Sequence, residues 1–316
     1  MKLSVVATMY RSAPYIEPFH ARITAALDKM GVEREIVLVN DGSPDDSLAI
    51  AKALADRDPA VRVVDLSRNF GHHKAIITGL DHAQGDMVFL IDIDMEEDPE
   101  LVAEFFEEWK RLEGRADVIY GVMREREGNA FRRFAGAAFY KLFTHLTGVA
   151  LPERFTMTRL MTRRYVDALR AFKEHSVFIG GLFVIAGFAQ APYMVRRRYK
   201  GSSTYSLARK ATLTANAIAS FSSKPLLYLF GLGLSVLGAS FLMLIWLIVN
   251  YVSHNQIMTG WTSLMFSLWF LGGAIILILG LIGFYLAKIF EEAKNRPYSI
   301  VREVYGARPS GDDPKA

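Results

Sequence analysis

Residues 87–98 read MVFLIDIDMEED, an apolar run that leads directly into a cluster of acidic side chains. Alternate positions of an extended chain point to the same side, so Asp92 and Asp94 share one face. Carboxylates crowded at the end of a buried strand repel one another unless a cation offsets their charge. Mg²⁺ commonly links one or two carboxylates to substrate phosphates, so we predict a divalent metal site at Asp92 and Asp94. The acidic side chains around Pro99 instead fit the dipole at the start of a helix: Glu97, Asp98 and Glu100.

Short apolar runs of the same kind recur through the first part of the chain. They predict strands at Leu3–Ala7, Glu35–Val39, Val61–Leu66, Met87–Ile91 and Val118–Gly121. Helical patterns lie between them at Tyr15–Met30, Ser47–Ala55 and Lys74–Ala83. Alternating strands and helices predict an α/β domain with a mostly parallel sheet covered on both faces. In such sheets ligands bind beyond the carboxyl ends of the strands.

Two loops that follow predicted strands carry candidate binding residues. The second strand leads into Asn40-Asp41-Gly42-Ser43, where Asp41 could accept hydrogen bonds from a base or a ribose. Asp-Gly is equally good turn chemistry in any protein, so both interpretations stay open. The third strand leads into residues 67–72, a loop that contains the cation Arg68 and a flexible glycine.

Residues 226–249 and 262–287 contain no Asp, Glu, Lys, Arg or His. Roughly 20 apolar residues cross a bilayer core, so we predict two transmembrane helices, with buried core helices as the alternative. Lys and Arg flank the pair on both outer sides but are missing from residues 250–261. The positive-inside bias therefore places the first domain and both termini in the cytoplasm. Leu207–Ser222 fits an amphipathic helix on the membrane surface or an ordinary domain helix.

Composition excludes several classes of protein. The chain has no cysteine, which excludes disulfides and cysteine-ligated metals, and its net charge of +4 is too small to indicate nucleic acid as a partner. The amino-terminal apolar run reads as a buried strand and not as a signal peptide. We expect the 316 residues to divide into a cytoplasmic domain that carries any chemistry, a surface helix, a transmembrane hairpin and a cytoplasmic tail, at 1–205, 206–224, 225–289 and 290–316.

The ordered set of motifs resembles glycosyltransferase family 2, in its polyprenyl-phosphate branch of dolichyl-phosphate mannosyltransferase-like and undecaprenyl-phosphate sugar transferase-like enzymes. The likeness covers roughly residues 3 to 300, and each motif is weak without the others. The motifs are VVATMY at 5–10, VNDGS at 39–43, RNFG at 68–71, DID at 92–94, Gly121, Arg124, Arg126, FY at 139–140, LTG at 146–148, RLM at 159–161, RYKG at 198–201, Ser203, Tyr205, FS at 221–222, PL at 225–226 and RPY at 296–298.

This resemblance implies a glycosyltransferase A-type domain and a hexosyltransferase of cell-envelope glycan synthesis. The enzyme would transfer a sugar with inversion from a nucleotide-sugar, most often a UDP-sugar, to a polyprenyl phosphate at the cytoplasmic face of the inner membrane. Tyr10, Asp41 and Arg68 would hold the nucleotide. Asp92, Asp94 and Glu96, as the DxD motif, would bind Mg²⁺ or Mn²⁺ against the diphosphate. Asp94 and several arginines would act at the reacting phosphates, although each arginine also fits a solvated surface charge: Arg124, Arg132, Arg133 and Arg198.

One departure from the family pattern bears on the mechanism. Met157 stands where many relatives have an Asp before the Phe-Arg-Leu element. A phosphate monoester has a second pKa of about 6, so a lipid phosphate is already a nucleophile at neutral pH without a strong base. Two alternatives stay open: a transferase that acts on a lipid alcohol such as a glycerolipid, and an inactive membrane scaffold that binds nucleotide. Membrane lipid is an expected partner, and homo-oligomer formation stays open.

Overall fold

The computed structural model describes residues 1–123, 141–150, 152, 154–174, 178–196, 218–219, 221–254 and 260–306. The chain divides into two compact units. The first unit takes in 1–141, 149–206 and 296–316, and the second takes in 142–148 and 207–295.

The first unit is built on one eight-stranded sheet. Its strands are β1 (Lys2–Met9), β2 (Glu33–Asn40), β3 (Val61–Leu66), β4 (Met87–Leu90), β5 (Val118–Met123), β6 (Phe155–Thr162), β7 (Gln190–Val195) and β8 (Val301–Gly306). Its described helices are α1 (Ala13–Met30), α2 (Ser47–Arg57), α3 (His72–His82), α4 (Leu101–Arg111), α5 (Arg163–Arg170) and α6 (Ile179–Ile185).

The strand order is β7-β5-β6-β4-β1-β2-β3-β8. Strands β4, β1, β2 and β3 run parallel to one another, and β7 runs parallel to β5, whereas β6 and β8 are antiparallel to their neighbours. The strand order reverses between β1 and β4, which is where open α/β sheets place their ligand crevice. The expected α/β fold with a mostly parallel sheet is confirmed.

Every strand and helix predicted from the apolar runs is present, with ends that shift by a few residues. The shift at α3 matters most, because this helix begins at His72 and not at Lys74. Helix α4 begins at Leu101, next to the helix start expected around Pro99, although its length was not predicted. The sequence patterns did not predict β6, α5, α6, β7 or β8. Strand β8 lies within the segment expected to be a cytoplasmic tail, and it extends the sheet by pairing with β3.

The core of the first unit lies on both faces of the central strands. On one face Val5 of β1 belongs to the same buried cluster as Phe19 of α1. On the other face α3 packs against β1 and β2 at Gly79. A Cβ atom on Gly79 would lie 2.4 Å from Val6 Cγ1 and 2.9 Å from Val39 Cγ2. Only a residue without a side chain allows α3 to pack this closely against the sheet.

The second unit contains two long apolar helices, α7 (Lys224–His254) and α8 (Trp261–Ala293). By length and composition, segments Lys224–Met243 and Ser267–Ala293 are suited to crossing a membrane, with mean hydropathy 2.0 and 2.4 and no buried residue in either apolar window. Single monomers rarely expose so much contiguous apolar surface to water. The predicted surface helix at Leu207–Ser222 falls almost wholly outside the described residues, as do residues 307–316.

Candidate functional site

The loops that follow β1, β2, β3 and β4 meet at one edge of the sheet, because parallel strands end on the same side. Tyr10 follows β1, Asp41 follows β2, Arg68 follows β3 by two residues and Asp92 follows β4 by two residues. Hydrogen bonds connect the first pair of loops, since the Arg11 backbone N–H donates to Ser43 Oγ at 2.7 Å. These loops form the candidate site.

The Asp41 carboxylate is buried, with only 3% of the residue exposed. Its Oδ1 accepts a hydrogen bond from the Phe70 backbone N–H at 2.7 Å, and its Oδ2 accepts one from the Gly71 N–H at 3.0 Å. Burial raises the pKa of Asp41, and these two hydrogen bonds oppose that rise. In this structure Asp41 therefore fastens the loop after β3, and its contact with a nucleotide stays a prediction.

Gly42 explains why an Asp-Gly pair stands at this position. Its φ of 60° lies in the left-handed region, and a Cβ atom there would lie 2.5 Å from both Arg68 C and Asn69 N. Only a glycine allows the two loops to approach so closely without a backbone shift. The Asp-Gly motif and the loop at 68–71 are thus one packed unit, an arrangement that turn chemistry alone does not require.

Tyr10 and Arg68 present accessible side chains at this edge. Tyr10 is 46% exposed, and its ring can stack on a flat base. Arg68 is also exposed, with its guanidinium 4.2 Å from the centre of the Phe70 ring. An exposed aromatic ring and an exposed cation in loops at one edge of the sheet suit a nucleoside phosphate.

The acidic segment after β4 divides into two groups. Asp92, Asp94 and Glu96 are all partly exposed, and Asp94 Oδ1 accepts a hydrogen bond from the Glu96 backbone N–H at 3.0 Å. Between them Met95 has a φ of 62°, which is rare for a residue with a side chain. Strained backbone of this kind is common in loops that hold functional groups.

The second acidic group has structural partners. Glu97 is 5% exposed and accepts a hydrogen bond from the Thr158 hydroxyl of β6. Asp98 and Glu100 both accept hydrogen bonds from Arg22 of α1. The sequence placed Glu97 at the solvated start of a helix, and this prediction is wrong. Glu97 instead anchors the acidic loop to the sheet.

Divalent ions fit the chemistry of Asp92 and Asp94, because both are partly exposed carboxylates in the loop that follows β4. Within the described residues, no three His, Asp or Glu side chains are grouped closely enough to hold a metal ion by themselves. Two carboxylates suffice for Mg²⁺ when a substrate diphosphate and water supply the other oxygen ligands. The ligand roles of Asp92, Asp94 and Glu96 stay predictions.

His72 is a further residue of the candidate site, and the sequence patterns did not identify it. It is the first residue of α3, and its Nδ1 lies 3.1 Å from Thr8 Oγ1 while its Nε2 lies 3.5 Å from Asp92 Oδ1. Desolvation by the surrounding loops lowers the pKa of His72, and the negative charges of Asp41 and Asp94 oppose that effect. The sequence signal that could have identified His72 is its position directly after the flexible glycine in the loop that follows β3.

The four arginines expected at the phosphates cannot be placed. Arg124, Arg132, Arg133 and Arg198 lie outside the described residues. Arg159 is described, and it is buried at 2% exposure with its guanidinium 3.3 Å from the centre of the Phe183 ring. Burial lowers the pKa of Arg159 to about 10, which leaves it charged at neutral pH.

Known proteins resemble this chain over most of its length. Residues 4–172 match the family model described as glycosyl transferase family 2. A Mycobacterium tuberculosis protein grouped with the glycosyltransferases is 44% identical over 307 residues, which cover 97% of this chain and 89% of that protein. The bactoprenol glucosyl transferase of Shigella phage SfII is 31% identical over 98% of this chain and 100% of its own length.

Solved structures are more distant. The crystal structure of mannosyl-3-phosphoglycerate synthase from Rubrobacter xylanophilus superposes with a TM-score of 0.48 and 16% sequence identity. The aligned part covers 70% of this chain and 73% of that protein. A likeness at this level says nothing about ligands.

Proposed function

The chain belongs to glycosyltransferase family 2, and on that premise we propose that it transfers a sugar from a nucleotide-sugar to a polyprenyl phosphate at the cytoplasmic face of a membrane. One observation carries the proposal. The chain matches, over nearly its whole length, proteins named bactoprenol glucosyl transferase, and this match includes the two apolar helices that are long enough to cross a membrane. An anchor of this kind would keep the enzyme at the bilayer, where the hydrocarbon tail of a polyprenyl acceptor stays.

The donor half of the proposal rests on the edge of the sheet. Tyr10 and Arg68 offer an aromatic ring and a cation to the nucleotide, and Asp92 and Asp94 would hold Mg²⁺ or Mn²⁺. A divalent ion bound there would supply positive charge to the diphosphate as it leaves. The side chains themselves orient the donor, so that the bond to the leaving group points away from the acceptor.

The acceptor half follows from the chemistry of a phosphate monoester. With a second pKa of about 6, most of the lipid phosphate carries two negative charges at neutral pH. One of its oxygens then attacks the anomeric carbon as the bond to the nucleoside diphosphate breaks. This single displacement inverts the configuration, and it needs no general base. Met157, with an apolar side chain where relatives often have Asp, is compatible with such a route.

The orientation in the membrane is supported by connectivity. Strand β8 pairs with β3, although β3 precedes the two apolar helices and β8 follows them. Both ends of the helical pair therefore connect to one sheet, which requires an even number of membrane crossings. Lys and Arg on the outer flanks of the pair favour the cytoplasmic side. We infer a hairpin of two spans, with the catalytic domain in the cytoplasm.

A donor screen tests the proposal directly. Purified protein in detergent is given undecaprenyl phosphate, Mg²⁺ or Mn²⁺, and a panel of nucleotide-sugars that begins with UDP-glucose. Release of nucleoside diphosphate and formation of glycolipid are followed together. We expect both products from one donor, with the anomeric configuration inverted. Nucleotide release with a glycerolipid acceptor, and none with the polyprenyl phosphate, would overturn the assignment of the acceptor.

A further inference from the structure

His72 lies at the point where the strand order of the sheet reverses. Its imidazole lies between β1 and β4, with Nδ1 3.1 Å from Thr8 Oγ1 and Nε2 3.5 Å from Asp92 Oδ1. With a proton on Nε2, the ring can accept the Thr8 hydroxyl at Nδ1 and offer a donor at Nε2 to the carboxylate 3.5 Å away. The side chain is 42% exposed, so it faces the open edge of the site.

The backbone at His72 is held in place from two directions. Asp41 binds the N–H of Gly71, the residue before it, and the carbonyl of Gly71 accepts the Lys74 N–H at 3.0 Å. Further along α3, Gly79 presses the helix against the sheet. A ring on such a fixed backbone can hold a flexible carboxylate in one orientation.

From this geometry we propose that His72 is a positioning residue, which orients Asp92 for the divalent ion that carries the donor diphosphate. The inference rests on the proposed metal-dependent function. Side chains that hydrogen-bond to metal ligands fix the orientation of those ligands, and their loss typically weakens metal binding about 10–100-fold. The orienting atom is Nε2, and the contact between Nδ1 and Thr8 keeps the ring in the required rotamer.

The two ring nitrogens give the test its sharpest comparison. In His72→Gln the side-chain amide can reach the position of Nε2, so a donor to Asp92 is retained. In His72→Asn the shorter amide reaches only the position of Nδ1, so the contact with Thr8 is retained and the donor to Asp92 is lost. We therefore expect His72→Asn to resemble His72→Ala, and His72→Gln to stay closer to the unchanged protein.

Metal binding is measured without the transfer reaction. Mn²⁺ is titrated into full-length protein in detergent with saturating UDP, and the free ion is followed by electron paramagnetic resonance. We expect the apparent Kd for Mn²⁺ to rise about 10–100-fold in His72→Ala and His72→Asn. His82→Asn is the matched control, because His82 lies at the far end of α3 and bonds the Thr78 carbonyl through its Nδ1.

The outcomes separate this inference from the proposed function. If the unchanged protein binds no Mn²⁺ in the presence of UDP, the metal-dependent function fails and the role of His72 fails with it. If the unchanged protein binds Mn²⁺ and His72→Asn binds it equally well, the role of His72 alone is overturned. An equal loss in His72→Gln and His72→Asn would also overturn it. Circular dichroism checks the fold of each variant, and the Gln–Asn comparison decides even if His72→Ala does not fold.

Discussion

Gly42→Ala tests whether the two loops of the site are one packed unit. Gly42 has a φ of 60°, and a side chain in this left-handed region costs about 1–2 kcal/mol. Gly31, at the end of α1, provides a matched control, because its φ is 63° and a Cβ atom there would meet nothing within 4 Å. Gly31→Ala therefore carries the backbone cost alone, and the difference between the two variants isolates the contact between the loops.

The size of that difference follows from the contact distances. The added Cβ atom would lie 2.5 Å from Arg68 C and Asn69 N, so the loop has to retreat by about 1 Å to reach ordinary van der Waals distance. Such a shift breaks the 2.7 Å bond from the Phe70 N–H to the buried Asp41 carboxylate. A buried charged group that loses a partner costs about 1–3 kcal/mol or more. We expect Gly42→Ala to be about 2–4 kcal/mol less stable than Gly31→Ala.

Thermal unfolding in detergent measures the effect. For a domain of this size about 1 kcal/mol shifts the Tm by 2–4 °C, so Gly42→Ala should melt roughly 5–15 °C below Gly31→Ala. UDP binding should weaken in Gly42→Ala and stay unchanged in Gly31→Ala, because only the first displaces the loop that carries Arg68. Equal Tm values for the two variants would refute the reasoning, since the loop would then yield without cost.

Three further predictions concern the carboxylates after β4, the segment that follows α8, and the response of stability to pH. Asp92→Asn and Asp94→Asn should each lower turnover on the order of 100-fold or more, because a metal ion supplies several kcal/mol of charge stabilisation. Glycolipid formation at graded Mn²⁺ concentrations measures this loss, and unchanged activity would contradict the metal assignment. Tyr298→Phe removes a hydroxyl that donates to Asp81 of α3 and should destabilise the domain by about 1–3 kcal/mol; an unchanged Tm would show that this bond contributes nothing. Although partial burial acts to raise the pKa of Asp45, hydrogen bonds from serine hydroxyls and backbone amides lower it to about 2. The stability that this carboxylate contributes is complete above the ordinary value of 3.8 and is lost as the pH falls through about 2. Asp45→Asn should therefore flatten the dependence of the unfolding free energy on pH between about 2 and 3.8. Urea titrations at several pH values measure this free energy, and an unchanged dependence on pH in the variant would contradict the reasoning.

The central strands were predictable because each carries its information locally. Val61–Leu66 is an apolar run of strand length, and its predicted bounds are those observed. Burial on both faces makes such runs continuous, which is typical of parallel strands. Because parallel strands end at one edge, the positions of Asp41 and Asp92 at that edge also followed from the sequence.

Other elements depend on distant partners and leave little local pattern. Strand β8 mixes apolar and charged residues, and none of them is fully buried. It becomes a strand because the free edge of β3 offers it hydrogen bonds. Residues 155–162 form β6 only between β4 and β5, and they include an arginine that no isolated strand would bury. Pairing between residues far apart in the chain cannot be read from the periodicity of either partner.

The same distinction applies inside the candidate site. The amino-acid sequence alone established a strand that ends in carboxylates, an Asp-Gly turn and a glycine-containing loop, because each of these is a short contiguous pattern. Only the tertiary structure decided that Asp41 binds the loop of Phe70, that Glu97 turns inward to Thr158, and that His72 reaches Asp92. Those choices depend on which strand ends become neighbours in the sheet, and side-chain hydrogen bonds form only after that neighbourhood exists.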